Sequence, residues 1–189
     1  GPGYFYPPTV LLGVPADAAS PTAPHHQRWL SGYLSRALRV SGGHALVLFT
    51  SYAMLAATYR DVAPALAARE GIEVLRQGDD DRHRLLTRFS AEPSSVLFAT
   101  DSFWEGVDVP GEALQLVVIC RLPFGVPTHP VARAQLAVVQ RAGGNAFAEL
   151  TVPRAVMRVR QGFGRLVRRS DDRGAVLILD PRVAHRDYG

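Results

Sequence analysis

The chain has 189 residues, 47% of them apolar and 20% charged, a balance that suits one folded domain with or without an extension and is that of a globular protein rather than a disordered one. Its 21 basic residues are all arginine, which excludes a phosphate-binding loop of the GxxxxGK[ST] type, because that loop needs a lysine to reach the outer phosphates. A net charge of +4 permits a nucleic-acid partner without establishing one, and Cys120, as the one cysteine, excludes an internal disulfide framework, a cysteine-ligated iron-sulfur cluster and a cysteine-rich zinc site.

Residues 1–24 are rich in proline and alanine and read as a linker or a connection from a preceding domain, with residues 25–189 as the folded domain. A chain that opens in this way is expected to be part of a larger protein. A short strand is predicted at 9–12 and a helix at 24–40. The run Ala45-Leu46-Val47-Leu48-Phe49 has no polar alternation, so 45–50 reads as a strand buried on both faces. A helix at 52–69 and a strand at 71–75 follow. The acidic run Asp79-Asp80-Asp81 then starts a helix at 82–89, with Asp80 or Asp81 as its cap. Strands at 95–100 and 114–120 come next, Cys120 being a small core residue at the end of the second. A proline- and glycine-rich excursion from Leu122 to Asn145 contains a helix at 131–141, and a helix at 153–169 and a strand at 175–180 complete the order. Apolar strands alternating with helices predict an α/β fold, a mostly parallel sheet with helices on both faces.

In such a sheet, ligands gather beyond the carboxyl ends of the strands. Polar residues cluster there: Thr50-Ser51 after one strand, Thr100-Asp101-Ser102-Phe103-Trp104-Glu105-Gly106-Val107-Asp108 after another, and Arg121 after a third. Hydroxyls at Thr50, Ser51, Thr100 and Ser102 can donate hydrogen bonds to phosphodiester oxygens without reading base identity, which suits sequence-independent single-strand binding. Thr50 and Ser51 also have the composition of helix caps. Trp104 is open between stacking on a base and packing in a turn, and Asp108 between a ribose hydroxyl and an arginine.

Further on, Gln161, Arg165 and Arg168 are spaced by four and three residues, so one helical face carries all three. Gly162 and Gly164 each cost a helix about 1 kcal/mol relative to alanine, which points to a backbone that something approaches closely. A row of guanidinium groups beside such a backbone suits a polyphosphate.

Taken together these residues resemble the second RecA-like motor domain of superfamily 2 DNA helicases of the DinG and XPD type, in the bacterial DinG-like branch. The resemblance rests on residues 46–51 as motif IV, Gln77-Gly78 after the next strand, the run from Ala99 through Gly111 as motif V, Arg121-Leu122-Pro123-Phe124, and residues 161–168 as motif VI. Relatives often have proline where this chain has Ala146. The resemblance implies a RecA-like fold of the P-loop NTPase type and ATP-driven translocation on single-stranded DNA, 5′ to 3′, with duplex unwinding. It also implies that ATP and Mg2+ are held mainly by a first RecA-like domain of the same protein. Arg168 would be the arginine finger with Arg165 and Gln161 beside it; Glu105, Gly106, Asp108 and Gly164 would serve the nucleotide; Thr50, Ser51, Thr100 and Ser102 would face the DNA backbone. The isolated chain, without a P-loop lysine, would be inactive as an ATPase, and a role in DNA repair is implied.

The alternative is a stand-alone nucleic-acid-binding or regulatory module of the same fold without ATPase activity, which would have no need of the Gln161, Arg165 and Arg168 set. A dinucleotide-binding oxidoreductase would need a GxGxxG turn after an early strand, and Gly162 and Gly164 lie in a helical pattern instead. No apolar run reaches the ~18 residues of a membrane-crossing helix, and the start lacks a signal-peptide pattern, so no membrane partner and a cytoplasmic location, on the nucleoid when bound to DNA, are expected.

Overall fold

The computed structural model of the chain describes residues 10–13, 15–100, 103, 116–121 and 174–181. Among them the order is β1 (Val10–Gly13), α1 (His26–Ser41), β2 (Ala45–Phe49), α2 (Tyr52–Glu70), β3 (Glu73–Arg76), α3 (Arg82–Ala91), β4 (Ser95–Thr100), β5 (Leu116–Ile119) and β6 (Gly174–Ile178). The strands form one sheet in the order β1-β6-β5-β2-β4-β3, every neighbour parallel. β1 lies inside the stretch read as a connection, and it pairs with β6 from Val10 opposite Gly174, so part of that stretch belongs to the sheet. The helices predicted at 131–141 and 153–169 lie outside the described residues.

The unbroken apolar runs have the expected cause. All of β2, β4 and β5 is buried. Ala45, Val47 and Phe49 of β2 and Val96 and Phe98 of β4 share one core with Leu30, Leu34 and Leu38 of α1 and Leu55, Val62 and Leu66 of α2. Full burial of each of the valine, leucine and phenylalanine side chains among them contributes ~1.5–3 kcal/mol. The alternate residues Leu46, Leu48, Leu97 and Ala99, also buried, point to the other face. From β2 the chain crosses outward over β4 to β3 through α2, and it returns to β4 through α3. Right-handed crossovers in opposite directions place α2 and α3 on opposite faces. Cys120 is fully buried, and that burial pushes its thiol far above the ordinary range, as befits an inert core residue.

Two boundaries differ from the sequence expectation for a local reason. Gly71, expected to open a strand, instead has φ +65 and closes α2, with the Ile72 amide donating to the Leu66 carbonyl at 3.1 Å; β3 therefore starts at Glu73. At the other end of the domain, His25 precedes α1 without a side-chain cap, and the first turn is anchored by the His26 amide on the Ala23 carbonyl at 3.0 Å. Asp81 does cap α3, accepting from the Arg84 amide at 2.9 Å.

Between α1 and α2 lies a polar seam. Gln27 Nε2 donates to the Ser31 hydroxyl at 3.1 Å and to the Thr58 hydroxyl at 2.9 Å, the Thr58 hydroxyl donates to the Met54 carbonyl at 2.8 Å, and the Ser31 hydroxyl donates to Asp61 at 2.7 Å. Apolar packing alone would tolerate sliding of one helix along the other; these bonds fix the register.

His26, at the start of α1, is buried, and its imidazole is held below the ordinary value of 6.5 first by that burial, then by the charge of Arg121, with Asp180 opposing and His25 adding slightly. Below about pH 6.5 the unfolded chain takes up a proton that the folded chain refuses, so stability falls as pH drops through the window beneath that value. The melting temperature is therefore expected to fall less between pH 7.5 and pH 5.5 in His26→Gln than in the parent chain, once both are referenced to pH 7.5. An identical decline in both would rule His26 out as the source.

Candidate nucleic-acid interface

Because every strand runs the same way, the carboxyl ends of all six share one edge. Along it, in the order β5, β2, β4, β3, follow Arg121, the pair Thr50-Ser51, Thr100, and Gln77. Sequence positions spread over more than seventy residues thus form one row.

Ser51 caps α2. Its backbone is extended at φ −140 and ψ 148, and its hydroxyl oxygen accepts from the Met54 amide at 3.2 Å. Capping occupies a lone pair and leaves the hydroxyl proton free to donate outward. Cap and ligand donor are therefore compatible roles in one exposed side chain. Thr50 is half-buried, with no hydrogen-bond partner for its hydroxyl among the described residues. Tyr52 follows with its ring half exposed, at 49%.

Thr100 is placed differently from the expectation of a hydroxyl aimed at phosphate. It is buried, its backbone amide donates to Gln77 Oε1 at 2.7 Å, and its hydroxyl donates to the same oxygen at 3.0 Å. Both its donors are taken up by the Gln77 side chain.

Gln77 stands at the centre of a turn. The Asp79 amide donates to the Arg76 carbonyl at 3.1 Å, and Gly78 has φ +99 at the position where a type II turn requires a positive value. A Cβ on Gly78 would sit 3.2 Å from the Tyr52 hydroxyl, so glycine also leaves room for that ring against the turn. Arg76 braces the turn from the side: its guanidinium lies 2.9 Å from Asp79 and 4.3 Å above the centre of the Tyr59 ring. The bond to Asp79 raises the Arg76 pKa, and the ion stays charged.

Further along the edge, Arg121 after β5 and Asp180 after β6 are close enough to His26 to act on its titration in opposite senses. Arg82, the first residue of α3, lies 5.4 Å from the centre of the buried Phe103 ring. Ser102, Trp104, Glu105, Gly106, Asp108, Gln161, Gly164, Arg165 and Arg168 lie outside the described residues.

Sequence reasoning singled out the hydroxyls and treated Gln77-Gly78 only as part of a family pattern. It missed the bond between Gln77 and Thr100, which spans 23 residues and has no signature in either segment alone. It also passed over Tyr52, for which an aromatic directly after a Thr-Ser pair was the available signal.

The comparisons agree with this geometry. The family described as "Helicase C-terminal domain" matches residues 34–189. The chain is 39% identical over 186 residues to "ATP-dependent DNA helicase YoaA" of Haemophilus influenzae, covering 98% of the chain and 28% of that protein. It is 42% identical over 156 residues to "ATP-dependent helicase DinG" of Mycobacterium tuberculosis, covering 82% of the chain and 23% of that protein. To "3'-5' exonuclease DinG" of Bacillus subtilis it is 40% identical over 146 residues, 76% of the chain and 16% of that protein. The chain thus spans less than a third of the length of these relatives. Among solved structures, "XPD_Helicase" superposes with a TM-score of 0.62 over 94% of the chain and 32% of that structure, at 18% identity, which supports the RecA-like fold. With its parallel sheet, its polar carboxyl edge and this match over most of its length, the chain belongs to the helicase C-terminal domain family, with its similarity to the YoaA and DinG proteins.

Proposed function

We propose that this chain is the C-terminal motor domain of a helicase that couples ATP hydrolysis to translocation on single-stranded DNA, 5′ to 3′, and to duplex unwinding. The observation that carries the DNA half is the row of Thr50, Ser51 and the Thr100-Gln77 pair on one sheet edge, which among the described residues offers neutral donors and an exposed tyrosine but no base-specific array. Such donors suit a backbone that must be gripped and released at every sequence.

The ATP half rests on sequence. Arg168 would stabilise charge on the γ-phosphate with Arg165 and Gln161 alongside, and Glu105, Gly106, Asp108 and Gly164 would complete this domain's side of the nucleotide site. Bound ATP would supply the free energy for domain closure. The chain has no lysine, so the phosphate cradle and the Mg2+ would come from a first RecA-like domain. Closure of the two domains would then link hydrolysis to a change of grip on this edge. The working location would be the cytoplasm, on DNA, in repair.

A binding or regulatory module without ATPase activity is the competing reading, and the relative named as an exonuclease gives it a specific footing. The two separate in one assay. Single-strand-stimulated ATP turnover is expected from the protein at its full natural length and none from residues 1–189 alone. Absence of turnover in the long form, with oligonucleotide binding intact, would favour the module.

A further inference from the structure

We propose that Gln77 is a DNA-backbone ligand in its own right, its side-chain Nε2 being the donor that meets a phosphate oxygen, and that Thr100 serves to aim it. The inference rests on the reading of this edge as a single-strand path and adds a residue to it.

The orientation of the carboxamide is set by chemistry. A backbone N–H can only donate, so the Gln77 atom 2.7 Å from the Thr100 amide must be the oxygen. The Thr100 hydroxyl, 3.0 Å from the same oxygen, must then donate as well. With Oε1 holding two donors, Nε2 is turned away from them, and its two N–H groups have no partner among the described residues.

The ladder explains why a side chain does this. The Gln77 amide donates to the Phe98 carbonyl at 2.9 Å, and in a parallel pair the Gln77 carbonyl would next accept from the Thr100 amide. The chain instead leaves the sheet at Gly78, and the Gln77 side chain accepts that bond. A glutamine is long enough to supply the missing acceptor and still present a donor beyond the sheet edge.

The donor is also held still. The turn carrying it is closed by the Asp79 amide, braced by Arg76 on Asp79 and Tyr59, and flanked by the exposed ring of Tyr52. A preorganised neutral donor on the same sheet edge as the Thr50-Ser51 hydroxyls, two strands away, suits a phosphodiester, which it can hold without the counterion release that an arginine contact would bring.

The test uses the protein at its full natural length, with fluorescent oligo-dT and a mixed-sequence oligonucleotide at two salt concentrations. Gln77→Glu keeps an acceptor for both Thr100 donors but has no donor to offer outward. It is expected to fold as the parent does and to bind both oligonucleotides roughly ten- to a hundredfold more weakly. Gln77→Leu, neutral and without a donor, is expected to bind more weakly with the salt slope unchanged. Thr100→Val, which keeps the backbone bond to Oε1, is expected to lose clearly less than either. Parent-like affinity in Gln77→Glu, or in Gln77→Leu while Gln77→Glu is weak, would overturn the assignment, the second pattern exposing simple charge repulsion. A Thr100→Val loss equal to that of Gln77→Glu would also overturn it, by making the threonine hydroxyl the contact. If the parent itself binds no single strand, the reading of the whole edge falls first. Should Gln77→Glu fail to fold, Gln77→Leu and Thr100→Val still decide the matter.

Discussion

Replacing Arg168 with alanine in the protein at its full natural length is expected to lower single-strand-stimulated ATP turnover by ~10³-fold or more, with oligonucleotide affinity close to the parent's. Phosphoryl transfer asks little covalent chemistry of a protein; it asks for charge where the γ-phosphoryl oxygens gather charge. A guanidinium can meet two of those oxygens at once, and its interaction strengthens as the transition state forms, so its loss falls on kcat more than on ATP binding. Arg168→Lys is expected to recover only part of the rate, since an ammonium supplies the charge without the planar fork. Steady-state turnover at saturating ATP, beside a direct binding titration, checks both expectations. Turnover in Arg168→Ala equal to the parent's would remove Arg168 from the nucleotide site and leave Arg165 as the remaining candidate in the same sequence motif.

The second large effect lies at the opposite edge of the sheet and concerns stability alone. Gly43→Ala is expected to destabilise the domain by roughly 2–5 kcal/mol, measured by urea unfolding, against a total that for domains of this kind is about 5–15 kcal/mol. Gly43 has φ +118, and a Cβ built there would lie 2.7 Å from the Pro93 carbonyl oxygen and from two backbone atoms of Ser94. Neither segment can move aside cheaply. The His44 amide donates to the Ser95 carbonyl at 2.8 Å, and the Ser95 hydroxyl donates to the Glu92 carbonyl at 2.7 Å, so the α1-β2 turn and the α3-β4 turn are tied together there. Gly42→Ala is the built-in comparison. Its φ of +73 is also unfavourable to alanine, but a Cβ would meet nothing within 4 Å, so a cost of only about 1 kcal/mol is expected. Equal costs at the two positions would mean that φ alone matters and that the backbone contact is relieved by small shifts.

Local features were legible in the sequence because local physics fixes them. β2 and β4 follow from apolar runs without alternation, the starts of α2 and α3 from Ser51 and Asp81, and the core role of Cys120 from its neighbours. The same holds for family membership, carried by motif runs whose residues need no coordinates to recognise. The strand at 9–12 was legible, but the strand order β1-β6-β5-β2-β4-β3 was not, since pairing depends on which buried surfaces fit across the whole sheet. Nor was the role of Thr100. A hydroxyl at a strand end looks the same in sequence whether it faces a ligand or a neighbour. Only the tertiary structure showed that β3 ends one residue short of supplying Thr100 with a backbone acceptor, so that the Gln77 side chain accepts its two hydrogen bonds.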